Sequence, residues 1–180
     1  MLKIRNAVRT DLEFLVRIDL KNDGYTVSNK LDLTDSEKKD HCKKIERFLT
    51  ERDRGAILME DTGSHNPIAM IMYSIANRDT TYPWKTIYSE LDRALFQSDG
   101  RFMEIFQLWV HPDYRRLGLA TKLKLKLEEE ARNRHVDLIY THTEQSNHHV
   151  IELNKKIGYE EVRRGSIWDD VIRVSLIKKL

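Results

Sequence analysis

The sequence predicts an α/β (α+β) protein: a mixed, mostly antiparallel sheet of six to seven strands with helices on both faces. Three observations carry this. Residues 101–143 read strand, helix, strand, and a crossover of that length joins parallel neighbours. Residues 55–61 ("GAILMED") and 66–78 ("NPIAMIMYSIANR") are apolar strands joined by the turn residues of "DTGSHNP", an antiparallel hairpin. The full order, β α α β β (α) β α β α β β, demands no second parallel pair, so the remaining strands can pair antiparallel.

Taken in order, "LKIRNAV" (2–8) reads as a short strand. Thr10 and Glu13 form a capping box opening a helix to about Leu20. "KNDGYTVSNKLDL" (21–33) is polar and without periodicity. Thr34 and Glu37 make a second capping box, and Ile45, Phe48 and Leu49 supply the apolar side of the following helix. After the hairpin, Trp84, Ile87, Tyr88, Leu91 and Leu95 recur at helical spacing, so residues 79–100 are expected to insert a helix. "RFMEIFQLWV" (101–110) is the most strand-like run in the chain. A long helix follows, then a strand at "VDLIYTHT" (136–143). Ser146 is the expected cap of the next helix, which carries Val150, Leu153 and Ile157 on one face and ends on Gly158, where a left-handed C-terminal cap belongs. "YEEVRR" and "VIRVSLIKK" close the chain as strands around a turn at Gly165.

At 180 residues the chain is expected to be a single domain, 1–180, with 79–100 as its insertion. A net charge of +2, spread without a basic tract, gives no strong field for nucleic acid or membrane. One cysteine, Cys42, rules out an intrachain disulfide and fits a reducing compartment. The start, "MLKIRNAVRTDL", is too polar for a signal peptide, and the longest apolar stretch, 68–76, is too short to cross a bilayer. A cytoplasmic protein is the expectation.

The chemistry concentrates in "VHPDYRRLGLATKLKLKLEEEA" (110–131). Its bases come early in the helix and its acids late, the wrong way round for the helix dipole. Gly118 and Ala120 let the backbone approach a ligand, and the first helical turn leaves N–H groups unpaired. With Arg115, Arg116 and the Thr121 hydroxyl beside them, these groups suit a phosphate. The turn lacks both the Gly-Lys-Ser/Thr of a P-loop and the three glycines of a dinucleotide fingerprint. A tight strand-to-helix turn with a solvated basic start is the plainer alternative. The alternating Lys122, Lys124 and Lys126 read as a wet helix face.

"VHPDYRRLGLA" resembles the acetyl-CoA-binding motif of the GCN5-related N-acetyltransferases (GNAT), an apolar strand followed by Arg-x-x-Gly-x-Gly/Ala at a helix start. "NHHVIELNKKIGY" (147–159) resembles the family's second signature, with Asn147, Leu153, Gly158 and Tyr159 in register. The resemblance covers residues 101–160 and implies an acyl-CoA N-acyltransferase fold. It implies acetyl-CoA as cosubstrate, with its pyrophosphate on Arg116, Leu117, Gly118, Leu119, Ala120 and Thr121, near Arg115. The pantetheine arm would pair with the main chain of Leu108, Trp109 and Val110, between strands 101–110 and 136–143, and bond to Asn147. An N–H near Val110 would bind the thioester oxygen.

Acetyl transfer needs a neutral amine, and freeing a lysine-like amine at neutral pH costs roughly 4–5 kcal/mol. Glu104 is the candidate base: it shares a strand face with Phe106 and Leu108. "MEIFQLWV" also resembles the histone-acetyltransferase branch, where a glutamate at that offset acts through water. The departure is Asn154, where most of the family carries a tyrosine that protonates the leaving thiolate. Asparagine can bond to CoA but cannot act as that acid, and Tyr140 and Tyr159 are the nearest tyrosines. His142, His148 and His149 with Glu144 fit no zinc spacing, so no metal is expected. Tyr82 and Trp84, flanking Pro83 ahead of the periodic run, are the expected acceptor contacts, with residues 21–34 as the alternative wall.

The implied activity is transfer of acetyl from acetyl-CoA to a primary amine by direct attack in a ternary complex. The alternative is a catalytically weak CoA-binding sensor or interaction module, for which Asn154 speaks. The acceptor is a small-molecule amine or the amine of a peptide or protein. Neither nucleic acid nor membrane is expected as partner, and a homodimer is an allowed assembly.

Overall fold

The computed structural model describes residues 1–23 and 34–180, so most of the polar stretch 21–33 lies outside the described residues. Seven strands, β1 (Leu2–Asn6), β2 (Arg54–Asp61), β3 (Asn66–Asn77), β4 (Arg101–Val110), β5 (Leu138–Glu144), β6 (Glu160–Gly165) and β7 (Arg173–Lys179), form a sheet in the order β1-β2-β3-β4-β5-β7-β6. The helices are α1 (Leu12–Asn22), α2 (Asp35–Thr50), α3 (Leu119–Asn133) and α4 (His148–Lys156). β4 and β5 are parallel, as the crossover through α3 requires, whereas β1–β2, β5–β7 and β6–β7 are antiparallel. The mixed, mostly antiparallel sheet is the one expected. The chain divides into two compact units, one of Met1–Tyr73 with Gln107–Leu123, the other of Ser74–Phe106 with Lys124–Leu180.

In the first unit β1 pairs with β2 from Leu2 opposite Asp61 to Asn6 opposite Ile57. Leu15 and Ile18 of α1, Ile45 and Phe48 of α2 and Ala56, Leu58, Met70 and Met72 of the strands make its core. The Thr34–Glu37 capping box forms as expected: the Glu37 N–H donates to Thr34 Oγ1 at 3.2 Å, and Glu37 Oε2 accepts the Thr34 N–H at 2.7 Å. The box expected at Thr10 and Glu13 does not. A 3-10 turn, Arg9–Asp11, precedes α1, and Asp11 accepts both the Val8 N–H and the Arg5 guanidinium at 2.7 Å. The buried Asp11 carboxylate is thereby paired and stays ionised: Arg5 and the Val8 N–H outweigh the opposing effect of burial and hold its pKa below the usual value.

In the second unit β5 pairs with β7 from Leu138 opposite Lys179 to Glu144 opposite Arg173, and β6 pairs with β7 across a register shift between Glu161 and Arg163. The helix expected within 79–100 is replaced by two 3-10 turns, Tyr88–Glu90 and Arg93–Leu95. Two arginines hold this segment through its carbonyls. Arg78 donates to the carbonyls of Ser89 and Leu91 at 3.0 Å, and Arg93 donates to those of Gln97 at 2.9 Å and Ser98 at 2.8 Å. Of the apolar residues read as one helix side, Ile87, Tyr88 and Leu91 go inward and are buried, Leu95 is half-buried and Trp84 stays exposed. Tyr88 meets Phe102 edge-on at 4.8 Å and Tyr140 at 5.5 Å, contacts worth about 0.5–1.5 kcal/mol each beyond burial.

Two smaller corrections concern chain ends of elements. The N-cap of α4 is Asn147, not Ser146, and no side chain bonds there. Gly165 closes β6 rather than turning the chain; residues 166–172 make the connection to β7. Gly158 takes a left-handed φ of 96°, and the Tyr159 N–H reaches the Asn154 carbonyl at 2.9 Å, the C-terminal closure expected there.

Candidate functional site

In the first unit β4 ends at Val110, and a 3-10 turn, Pro112–Tyr114, redirects the chain. Arg115 folds back so that its Nε donates to the Val110 carbonyl at 3.3 Å. Arg116 and Gly118 both adopt left-handed φ, 63° and 77°, and α3 begins at Leu119. A left-handed residue followed by a helical one turns successive N–H groups to one side, a concavity that suits an anion. The first intrahelical bond runs from the Lys122 N–H to the Gly118 carbonyl at 3.1 Å, so the N–H groups of Leu119, Ala120 and Thr121 precede the helical ladder. A Cβ built on Gly118 meets no atom within 4 Å. Glycine is required here by its backbone angle, and the space in front of it is open. No acidic side chain occupies the first turn of α3. Arg115, Arg116 and Leu117 are exposed, while Leu108, Trp109 and Val110 are half-buried. The Trp109 indole packs edge-on against Phe14 at 5.7 Å.

The second unit holds Glu104, and the face-sharing expected from the period of β4 is present. Glu104, half-buried, and Phe106, exposed, alternate with the buried Met103, Ile105 and Gln107. Glu104 lies in a cleft of about 160 Å³ whose lining includes Trp84, Lys85, Tyr88, Tyr140, His142 and Trp168. The Tyr88 hydroxyl donates to Glu104 Oε2 at 2.7 Å. Burial and the Glu104 charge push the Tyr88 phenol far up, so it remains a donor at any ordinary pH. The Tyr140 hydroxyl lies 3.1 Å from Ser175 Oγ and 3.3 Å from His142 Nδ1. Burial, with the Arg173 charge, lowers His142 to about 4, so this ring is neutral near pH 7.

Of the two acceptor contacts expected, only Trp84 lines this cleft, 54% exposed. Tyr82 stands behind it, ring centroids 5.1 Å apart, and is consumed in packing. Its hydroxyl accepts the Asn77 N–H at 2.9 Å, and its ring meets Tyr88. Tyr88, Tyr140, His142 and Trp168 were not legible as cleft residues. The one available signal was Trp168, a lone indole in the polar loop "GSIWDD".

Asn147 is exposed at the start of α4. Asn154 is fully buried, and neither its Nδ2 nor its Oδ1 has a hydrogen-bond partner. An unpaired buried amide costs about 1–3 kcal/mol per group. The Tyr159 hydroxyl is likewise buried and unpartnered, and its ring carries the Lys124 ammonium at 4.6 Å from the centroid. Lys124 is therefore not on the wet face expected for the three lysines. Among the described residues the one grouping of metal-ligating side chains is Asp19, Asp23 and His41 in the first unit. The Lys44 ammonium, 2.9 Å from Asp19 and 3.8 Å from Asp23, already supplies a cation there.

The model of the acetyltransferase (GNAT) family matches residues 20–159, which run through both units. The chain belongs to the GNAT family. Solved structures agree on the fold of this GNAT protein. Arabidopsis thaliana NAA60 in complex with acetyl-CoA superposes with a TM-score of 0.73 at 16% identity, covering 100% of this chain and 99% of that one. The ribosomal-protein-S18-alanine N-acetyltransferase of Escherichia coli gives 0.64 at 17% identity, covering 99% and 94%. The aminoglycoside 6'-N-acetyltransferase AAC(6')-Ih of Acinetobacter baumannii gives 0.65 at 18%, covering 94% and 97%. No curated protein matches this chain in sequence.

Proposed function

We propose that the protein is an acetyl-CoA-dependent N-acetyltransferase that acetylates a primary amine by direct attack, its 180 residues acting as one N-acetyltransferase domain. The observation that carries the reading is the turn at 115–121: a left-handed Gly118 with open space before it, N–H groups ahead of the α3 ladder, and two exposed arginines. It suits the pyrophosphate of acetyl-CoA. The unpaired amide of buried Asn154 supports a second polar contact to the same cosubstrate, and the main chain of Leu108 to Val110 and Asn147 remain the residues for its arm. The reading keeps the cytosolic setting that the single Cys42 suggests and assigns no metal.

Glu104 takes the role of base. The acceptor arrives as an ammonium, gives a proton to Glu104 directly or through water, and its nitrogen attacks the thioester carbon. The N–C bond forms, the C–S bond breaks, and CoA leaves as a thiolate that takes up a proton. Its ordinary thiol pKa makes it a tolerable leaving group, so asparagine at 154 is compatible with turnover.

Thiol release from acetyl-CoA with a panel of amines tests the reading. Glu104→Gln is expected to lower turnover by roughly 10²–10⁴-fold without weakening acetyl-CoA binding. The defect should shrink as pH rises and free amine accumulates. A near wild-type rate at pH 7 removes Glu104 from the chemistry; binding without thiol release from any amine returns the protein to a CoA-binding module.

A further inference from the structure

The cleft at Glu104 has a composition that selects among amines. Among the described residues that line it, Glu104 is the one carboxylate, and most of the rest of the wall is aromatic or aliphatic. Two indoles, Trp84 and Trp168, are 54% and 56% exposed there. Large aromatic surfaces left in water at a concave site mark a place where an apolar group is received.

Both indoles are held before any ligand arrives. Trp84 rests on Tyr82, which is tied to the Asn77 N–H. Trp168 lies under the Arg173 guanidinium, 4.3 Å from the ring centroid, and Arg173 is itself fixed by both carboxylate oxygens of Asp169. His142 meets the Trp168 ring at 5.3 Å. A rigid wall loses little entropy when it is covered.

Resting on the acetyltransferase reading, we propose that the acceptor is a small monoamine whose nitrogen is carried on a single apolar, ring-sized group, the nitrogen at Glu104 and the apolar group against Trp84 and Trp168. A polyamine or an aminoglycoside carries several ammonium groups, and one carboxylate pairs with one of them. At about 160 Å³ the cleft is also below the roughly 300–1,000 Å³ typical of sites for drug-sized ligands.

The probes are 2-phenylethylamine, ethanolamine, spermidine, kanamycin, and peptides beginning with phenylalanine or carrying an internal lysine, each scored by thiol release. Burial of the phenyl ring is expected to raise kcat/KM for 2-phenylethylamine over ethanolamine by roughly 10–100-fold. Trp168→Ala should raise the KM for 2-phenylethylamine about tenfold while leaving that for ethanolamine unchanged, and Trp168→Phe should restore most of it. Trp168 is half exposed, so both variants are expected to fold, with melting temperature as the control. Higher kcat/KM for spermidine, kanamycin or either peptide overturns the proposal and leaves the acetyltransferase reading intact. If acetyl-CoA binds yet no amine turns over, titration of tryptophan fluorescence with 2-phenylethylamine decides: no quenching, or quenching unchanged in Trp168→Ala, also overturns it. No melting-temperature rise with acetyl-CoA and no thiol release would instead defeat the underlying reading.

Discussion

Lys124 shows how a single residue can be misplaced by a correct rule. In "LATKLKLKLEEEA" leucine and lysine alternate with period two, but the segment is a helix with period 3.6. The mismatch has to bury a lysine and expose a leucine, and it does: Lys124 is 2% exposed while Leu125 is 48% exposed. Burial lowers the Lys124 pKa to about 7; nearby Glu128 opposes the shift and Lys178, whose ammonium pairs with Glu128, adds to it. Between about pH 7 and 10.5 the unfolded chain therefore binds more protons at this side chain than the folded one. Stability rises with pH across that window, the penalty being full below it and absent above it. Lys124→Met should accordingly melt higher than the wild type at pH 7, and the difference should shrink toward pH 10. Denaturant melts at both values check it; a constant difference would mean that Lys124 is charged in the fold throughout.

At the scale of elements, the segment 79–100 separates two roles that its sequence merges. Tyr82 serves the fold, through the Asn77 N–H and the rings of Trp84 and Tyr88. Trp84 serves the cleft. Tyr82→Ala is expected to cost about 2–4 kcal/mol from lost aromatic burial and an orphaned N–H. Trp84→Ala should change stability by less than about 1 kcal/mol, since the ring is half in water, but raise the acceptor's KM. Urea melts and acceptor kinetics on the two single variants check this division. Equal losses of stability would make Trp84 part of the core and require another wall for the acceptor. Residues 24–33, part of the alternative wall considered from sequence, lie outside the described residues.

For the whole molecule, the turn at 115–121 predicts a linkage between ligand and stability. At a hundredfold excess over its Kd, acetyl-CoA should add about 2.7 kcal/mol, or roughly 5–10 °C of melting temperature for a chain of this size. Gly118→Val should remove that rise, because a branched side chain would fill the open space before the N–H groups. It also carries a cost of its own: φ is 77°, a left-handed angle that disfavours a branched side chain by about 1–2 kcal/mol. The unliganded variant should therefore melt a few degrees lower, yet still cooperatively, and calorimetry with and without acetyl-CoA reads both effects. An undiminished rise in Gly118→Val would move the cosubstrate elsewhere.

The features the sequence determined by itself are those set by local rules. The pleat places Glu104 on the face of Phe106, the Thr34–Glu37 box starts α2, Gly158 closes α4, and Gly118 marks the turn before α3. Each depends on residues within a few positions of one another, and the backbone angle or hydrogen bond involved is specific to the residue type. The crossover to a parallel β5 was legible for the same reason. The tertiary structure alone decided where carbonyls and rings distant in sequence meet. Arg78 takes the carbonyls of Ser89 and Leu91, 11 and 13 residues on, in a segment that holds two 3-10 turns in place of the helix its apolar spacing suggested. Tyr88 reaches Glu104 from 16 residues away, and Trp168 joins the cleft from the loop before β7. Lys124 is buried because the face of α3 that turns inward is set by the helix as a whole, and its packing outweighs the preference of one ammonium for water.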